Sequence, residues 1–295
     1  MKRILTILLS CAFFCSNFAL ADEGMWLYNA PPKDKIKAKY EFELTQQWLD
    51  HVRLSSVRFN NGGSGSFVSP DGLTFTNHHV GAACVQQLST EGHDYIKTGF
   101  YANTQAEEAK CPNLELNQLV AIEDVTDKIN AGVKSGMSAA ESGQAQRAAM
   151  SEVEKECTSS TWLRCDVVIF YSGQVYNLYK YEKYTDVRLV FAPEFDIAFF
   201  GGDPDNFTYP RYDLDITFFR VYDNGKPAHL DNYLKWSPTG VKDGYLIFVS
   251  GHPGNTGRLL TMAQLEFMRD VQYPAALKYY ARRIDLLQKF SNDSE

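Results

Sequence analysis

Short β-branched and aromatic runs, closely spaced and broken by glycine or charged turns, fill the middle of this chain. Ahead of them, residues Asp22 to Asp50 combine a Pro31-Pro32 turn with a helical pattern. Phe42, Leu44, Trp48, Leu49, Val52 and Leu54 then lead into an Asn60-Asn61-Gly62-Gly63 loop. Ser66 to Ser69 predicts a strand, Pro70-Asp71-Gly72 a turn, and Leu73 to Thr76 the returning strand. This hairpin ends at Asn77-His78-His79-Val80. From Asp124 to Glu156 the chain is rich in Ala, Glu, Lys, Gln and Met and has no proline, which predicts a helical excursion with solvated charges. Strands are predicted over Val167 to Tyr171, Val175 to Tyr181, Val187 to Phe191, Asp196 to Phe200, Asp215 to Tyr222 and Tyr245 to Ser250. Beyond Thr261, apolar residues recur at helical spacing as far as Phe290. Closely spaced strands with helices set apart argue for an antiparallel barrel or sandwich.

The first residues read as an address. Lys2 and Arg3 precede an apolar run from Ile4 to Phe14, and Ala19-Leu20-Ala21 supplies the small-x-small pattern of a signal peptidase site. The run is too short to span a bilayer. Leu9-Ser10-Cys11 faintly resembles a lipoprotein cleavage site, but the apolar stretch before Cys11 is very short. Residues 1–21 are therefore expected to be a cleavable signal peptide, and the mature chain periplasmic or secreted.

A hydrophobic content of 44 % and an aromatic content of 14 % suffice for a substantial core, and the net charge of −7 gives no sign of nucleic-acid binding. No later segment approaches membrane-spanning length. After export four cysteines remain: Cys84, Cys111, Cys157 and Cys165. An oxidising compartment favours disulfides, and of the three pairings Cys84–Cys111 and Cys157–Cys165 each close a local loop. No Cys-x-x-Cys pair supports zinc, and no cofactor is called for.

The histidine hairpin carries the first chemical signal. Peptidases of the chymotrypsin superfamily place their catalytic histidine just after such a strand pair, and Gly65 to Leu73 resembles the form common in bacterial periplasmic members. A neutral imidazole can take the proton of a serine hydroxyl near pH 7. His79 holds the motif position, with His78 as its neighbour. The bland alternative is two surface histidines at a strand end. A carboxylate must also orient the imidazole. Asp196-Ile197-Ala198 and Asp215-Ile216-Thr217 compete for that part, and spacing alone does not separate them.

A longer resemblance does. Phe199-Phe200-Gly201-Gly202-Asp203-Pro204-Asp205-Asn206-Phe207-Thr208-Tyr209-Pro210-Arg211, with Thr76 to His79 and Gly251 to Arg258, resembles bacterial serine dipeptidyl aminopeptidases of the dipeptidyl-peptidase seven and eleven type. The likeness runs from Gly24-Met25-Trp26 to the end of the chain. It implies a mainly β fold with helical insertions: a chymotrypsin-like double β-barrel into which a helical domain is inserted. Residues 22–258 would hold the first barrel and the opening strands of the second, and residues 259–295 the start of the helical insert. It further implies removal of dipeptides from the free N-terminus of peptides, and a tendency of the full-length form to dimerise. Carried over by position, the triad histidine falls on His79 and the aspartate on Asp215, leaving Asp196 structural. Asn206 and Phe207 fall where the family binds the substrate's α-amino group. The family often has tryptophan in place of Phe207, which alters the shape of that pocket.

The serine of the triad is not evident. No Gly-x-Ser-Gly follows Asp215. Gly254-Asn255-Thr256-Gly257 imitates it with threonine, but a threonine nucleophile normally relies on its own N-terminal amine. Ser64 and Ser66 precede the histidine, in the wrong chain order for the superfamily. The chain is thus expected to be an N-terminal fragment that is silent alone. A heat-shock-type endopeptidase and a non-catalytic peptide-binding remnant are the alternatives.

Overall fold

The structure, a computed structural model, describes residues 25–199, 213–254 and 260–292. Trp26–Gly254 forms one compact unit, and the helices after Leu260 belong to another. The expected export segment, residues 1–21, lies outside the described residues.

In the larger unit, helices α1 (Lys33–Tyr40) and α2 (Gln46–Ser55) lead into β1 (Ser56–Phe59), β2 (Ser64–Phe67) and β3 (Leu73–Thr76). Helix α3 (His78–Leu88) and the short α4 (Tyr95–Thr98) follow, then β4 (Phe100–Tyr101), β5 (Ala109–Lys110) and β6 (Leu116–Asp124). Next come α5 (Thr126–Asn130) and α6 (Ala139–Thr161), and then β7 (Arg164–Phe170), β8 (Val175–Tyr184) and β9 (Asp186–Ala192). A short helix α7 (Phe195–Ala198), β10 (Thr217–Asp223) and β11 (Lys226–Pro227) complete the unit. In the second unit α8 (Met262–Phe267) runs through a π turn (Met268–Gln272) into α9 (Tyr273–Asn292). Among the described residues no helix is long and apolar enough to cross a membrane.

The strands form one antiparallel sheet in the order β4-β9-β10-β3-β2-β1-β6-β8-β7, with β5 also beside β9 and β11 beside β10. Inward residues of strands far apart in that order share one core. Val57 and Phe59 from β1, Phe67 from β2 and Leu116 from β6 pack with Val187 and Leu189 from β9 and Phe219 and Val221 from β10. Such sharing requires the sheet to curl around its own side chains. The β2–β3 turn depends on Gly72, whose φ is +73° and whose β-carbon would lie 2.7 Å from the Val221 carbonyl. No other residue fits both conditions.

A second core lies under α5 and α6, where Val125, Ile129, Val153, Tyr176 and Leu178 pack together. Helix α6 starts in a capping box, Ser138 accepting from the Glu141 amide and Glu141 accepting from that of Ser138. Two disulfides pin helices to the sheet side of the molecule: Cys84 on α3 to Cys111 after β5, and Cys157 on α6 to Cys165 on β7.

The structure corrects two predicted strands. Asp196 to Phe200 was expected extended, but Phe195–Ala198 is a helical turn. Both edges of β10 are already taken by β3 and β9, so this segment has no ladder to join. Tyr245 to Ser250, an expected opening strand of a second barrel, forms no strand, and Val249 is 95 % exposed. An extended apolar run becomes a strand only against a partner. The helical excursion is also divided: β6 continues to Asp124, and α5 is separate from α6.

Candidate active site

Three local features bring His79 to its place. Hairpin β2–β3 delivers the chain to Asn77. Helix α3 then begins at once, making His79 its second residue. Gly81, one residue beyond Val80, is buried and has no β-carbon, so α3 can press against Thr217 and Phe219 at the start of β10. That contact places the helix start beside Asp215, two residues ahead of β10.

Asp215 and His79 are joined twice. The imidazole Nδ1 lies 2.8 Å from Asp215 Oδ2, and the His79 main-chain N–H donates to Asp215 Oδ1 at 3.1 Å. Asn77 Nδ2 also donates to Oδ2, at 2.9 Å. The carboxylate sits at the positive end of α3, where a negative charge is favoured. With Nδ1 donating to the carboxylate, the neutral imidazole keeps Nε2 as its acceptor. Among the described residues none bonds to Nε2. The His79 side chain is 66 % exposed, so the ring is open to an incoming group.

His78 points the other way. It is buried, hydrogen-bonded to the Pro193 carbonyl, and packs edge-on against Phe195. Burial holds its pKa below the ordinary histidine value, against the opposing pull of the Asp215 charge. It is therefore neutral at pH 7. Asp196 lies exposed on α7 and makes no bond to His79. Of the two aspartates the sequence offered, the structure brings Asp215 to the imidazole.

Asn206 and Phe207 lie outside the described residues. Ser64 does not face the solvent as a free hydroxyl: its Oγ accepts from the His252 N–H at 2.8 Å and donates to the His252 carbonyl. This stitch fixes the Gly251-His252 segment to β2. The His252 ring is buried against Tyr181, and burial pushes its pKa down to about 4. Among the described residues no three His, Cys, Asp or Glu side chains converge as a metal site.

A model of the family described as Peptidase S46 matches residues 21–295. The chain belongs to the peptidase S46 family. Among its relatives, dipeptidyl-peptidase 7 of Porphyromonas endodontalis is 35 % identical over 279 residues, covering 88 % of this chain and 34 % of the relative. The Asp/Glu-specific dipeptidyl-peptidase of Shewanella putrefaciens is 34 % identical over 295 residues, covering 94 % of this chain and 40 % of the relative. The crystal structure of P. endodontalis DPP11 in complex with the dipeptide Arg-Glu superposes with a TM-score of 0.63 at 29 % identity, over 75 % of this chain and 35 % of that one. This S46 chain therefore spans about a third to two fifths of the length of these relatives. What it shares with DPP11 is a mainly antiparallel sheet with helices.

Proposed function

We propose that this chain carries the histidine and aspartate of a serine-type dipeptidyl aminopeptidase, which releases dipeptides from the free N-terminus of peptides. The observation that carries the reading is the 2.8 Å contact between His79 Nδ1 and Asp215 Oδ2. It leaves Nε2 as the proton acceptor that a serine hydroxyl needs, and a carboxylate behind the ring to stabilise the imidazolium. His79 then returns the proton to the leaving amine. The nucleophile is assigned outside these 295 residues, since no Gly-x-Ser-Gly follows Asp215.

Asn206 and Phe207 are assigned to the substrate's N-terminus. An amide oxygen can accept from an α-ammonium, and an aromatic wall limits the pocket to two residues. The names of the relatives and the dipeptide bound in DPP11 support a peptide as the ligand. The curled sheet is read as the first barrel of a chymotrypsin-like pair. In support, β5 pairs with β9 and β6 with β1, with only Cys111 to Glu115 between them. Residues 1–21 are assigned as the export signal, residues 22–258 as barrel and residues 259–295 as the start of the helical insert.

The test uses the product of the complete open reading frame. It is expected to release dipeptides from free peptides but not from N-acetylated ones, and His79→Ala or Asp215→Ala should each nearly abolish release. Cleavage of acetylated peptides would point instead to an endopeptidase. Activity that survives Asp215→Ala but not Asp196→Ala would overturn the aspartate assignment.

A further inference from the structure

Asn77 stands in the N-cap position of α3 and does not cap it. Its φ and ψ of −67° and 151° are those of a cap residue, yet its side chain makes no bond to the first turn. Asparagine is among the best N-caps because its amide oxygen accepts from the second or third helical N–H. Here the second helical residue is His79, and its N–H goes to Asp215 Oδ1. A carboxylate from the start of β10 has taken over the capping role.

The freed amide has turned to that same carboxylate. Asn77 Nδ2 lies 2.9 Å from Asp215 Oδ2 and 3.4 Å from the Asp215 carbonyl. Both are acceptors, so the amide presents its NH2 to them. Oδ2 is also the oxygen that meets the imidazole.

We infer that Asn77 is a positioning residue for the His79–Asp215 pair, its amide holding the carboxylate in the plane that meets imidazole Nδ1. The inference rests on the peptidase reading of that pair. Among the described residues both other bonds to the carboxylate come from His79 itself, so without a third point carboxylate and ring could swing together. Asn77 supplies that point and ties it to the Asp215 main chain. The Asp215 side chain is 27 % exposed, and the amide fills a lone-pair direction that water would otherwise take. An amide neither gains nor loses a proton in the working pH range, so its contribution is one of orientation.

The experiment compares Asn77→Ala, Asn77→Asp and His79→Ala in the product of the complete open reading frame. Asn77→Asp keeps both the shape and a good N-cap residue, so it is expected to fold even if Asn77→Ala does not. It replaces the donor with a second carboxylate against Asp215. Losing one hydrogen bond to a charged group predicts that kcat for dipeptide release falls roughly 10- to 100-fold in Asn77→Ala. Asn77→Asp should fall at least as far, with KM changed by no more than about twofold in either variant. If Asn77→Asp folds and keeps kcat within about twofold of the parent, the inference is overturned. A loss confined to KM overturns it as well. His79→Ala separates the two levels. If it is silent while the Asn77 variants stay active, only the positioning role fails. If it stays active, the reading of the pair fails.

Discussion

Gly81 lies so close to Thr217 that a β-carbon at position 81 would fall 2.9 Å from the threonine methyl and 3.0 Å from the tip of the Phe219 ring. Thr217 and Phe219 are fully buried, so neither has room to retreat. Gly81→Ala is therefore expected to push α3 off β10 and widen the gap between His79 and Asp215. Overpacking of this kind costs about 1–3 kcal/mol. Unfolding in urea should show that loss, with a larger proportional fall in dipeptide release. Full activity and unchanged stability would show that α3 tolerates displacement.

Glu108 is the acidic centre of a buried network. Its carboxylate accepts from Arg220 Nε at 2.9 Å and from the Tyr222 hydroxyl at 2.7 Å, and its side chain is 3 % exposed. Burial, reinforced by this neighbouring charge, pushes the Tyr222 hydroxyl up to about 12. Glu108→Ala leaves the mostly buried Arg220 guanidinium without its inner partner, a change that costs about 3–5 kcal/mol. Glu108→Gln, which retains an acceptor, should lose less. Denaturant midpoints of the two variants decide the matter, and equal losses would mean that shape rather than charge is what matters there.

The two disulfides should contribute unequally. Cys84–Cys111 spans a sequence separation of 27, Cys157–Cys165 one of 8. Loop-closure entropy predicts roughly 3.5 kcal/mol for the first and roughly 2.5 kcal/mol for the second. Because Cys84 shares α3 with His79, Cys84→Ala/Cys111→Ala is also expected to reduce dipeptide release, whereas Cys157→Ala/Cys165→Ala should affect stability alone. Paired thermal melts and assays test both halves.

His252 makes stability depend on pH. Burial, its largest cause, depresses the folded pKa to about 4, against the ordinary histidine value of 6.5. Between those values the unfolded chain holds a proton that the folded chain does not, so stability rises with pH. The contribution is fully present above pH 6.5 and is lost as pH falls toward 4, by about 3 kcal/mol in all. His78 is depressed in the same direction and adds to the slope. Urea midpoints of His252→Leu at several pH values in this window should show a shallower slope than the parent. An unchanged slope would assign the acid sensitivity elsewhere.

Sequence patterns revealed the elements with simple signatures and missed those whose buried face is polar. The β3 strand was legible because Pro70-Asp71-Gly72 marks its turn. Strand β6 was not, because Asn117 and Gln118 are buried beside Leu116 and Leu119 and erase the alternation. Helix α3 was hidden by Gly81-Ala82-Ala83, a stretch without a polar face. The Asp196 and Tyr245 runs have strand composition, but whether a ladder is available to them is decided elsewhere in the chain. For the site, residue type and motif singled out His79. The nearness of Asp215, and the turn of Asn77 toward it, depend on how β10 docks against the hairpin. The one sequence clue to Asn77 is its place two residues ahead of His79.

The shared bonding at Asp215 gives the site a built-in reporter. The His79 amide proton that caps α3 is held by the same carboxylate that orients the ring. Departure of the carboxylate would therefore uncap the helix and release the ring together. The rate at which that single amide exchanges its hydrogen with solvent reports how often Asp215 lets go of the helix start, with no substrate present.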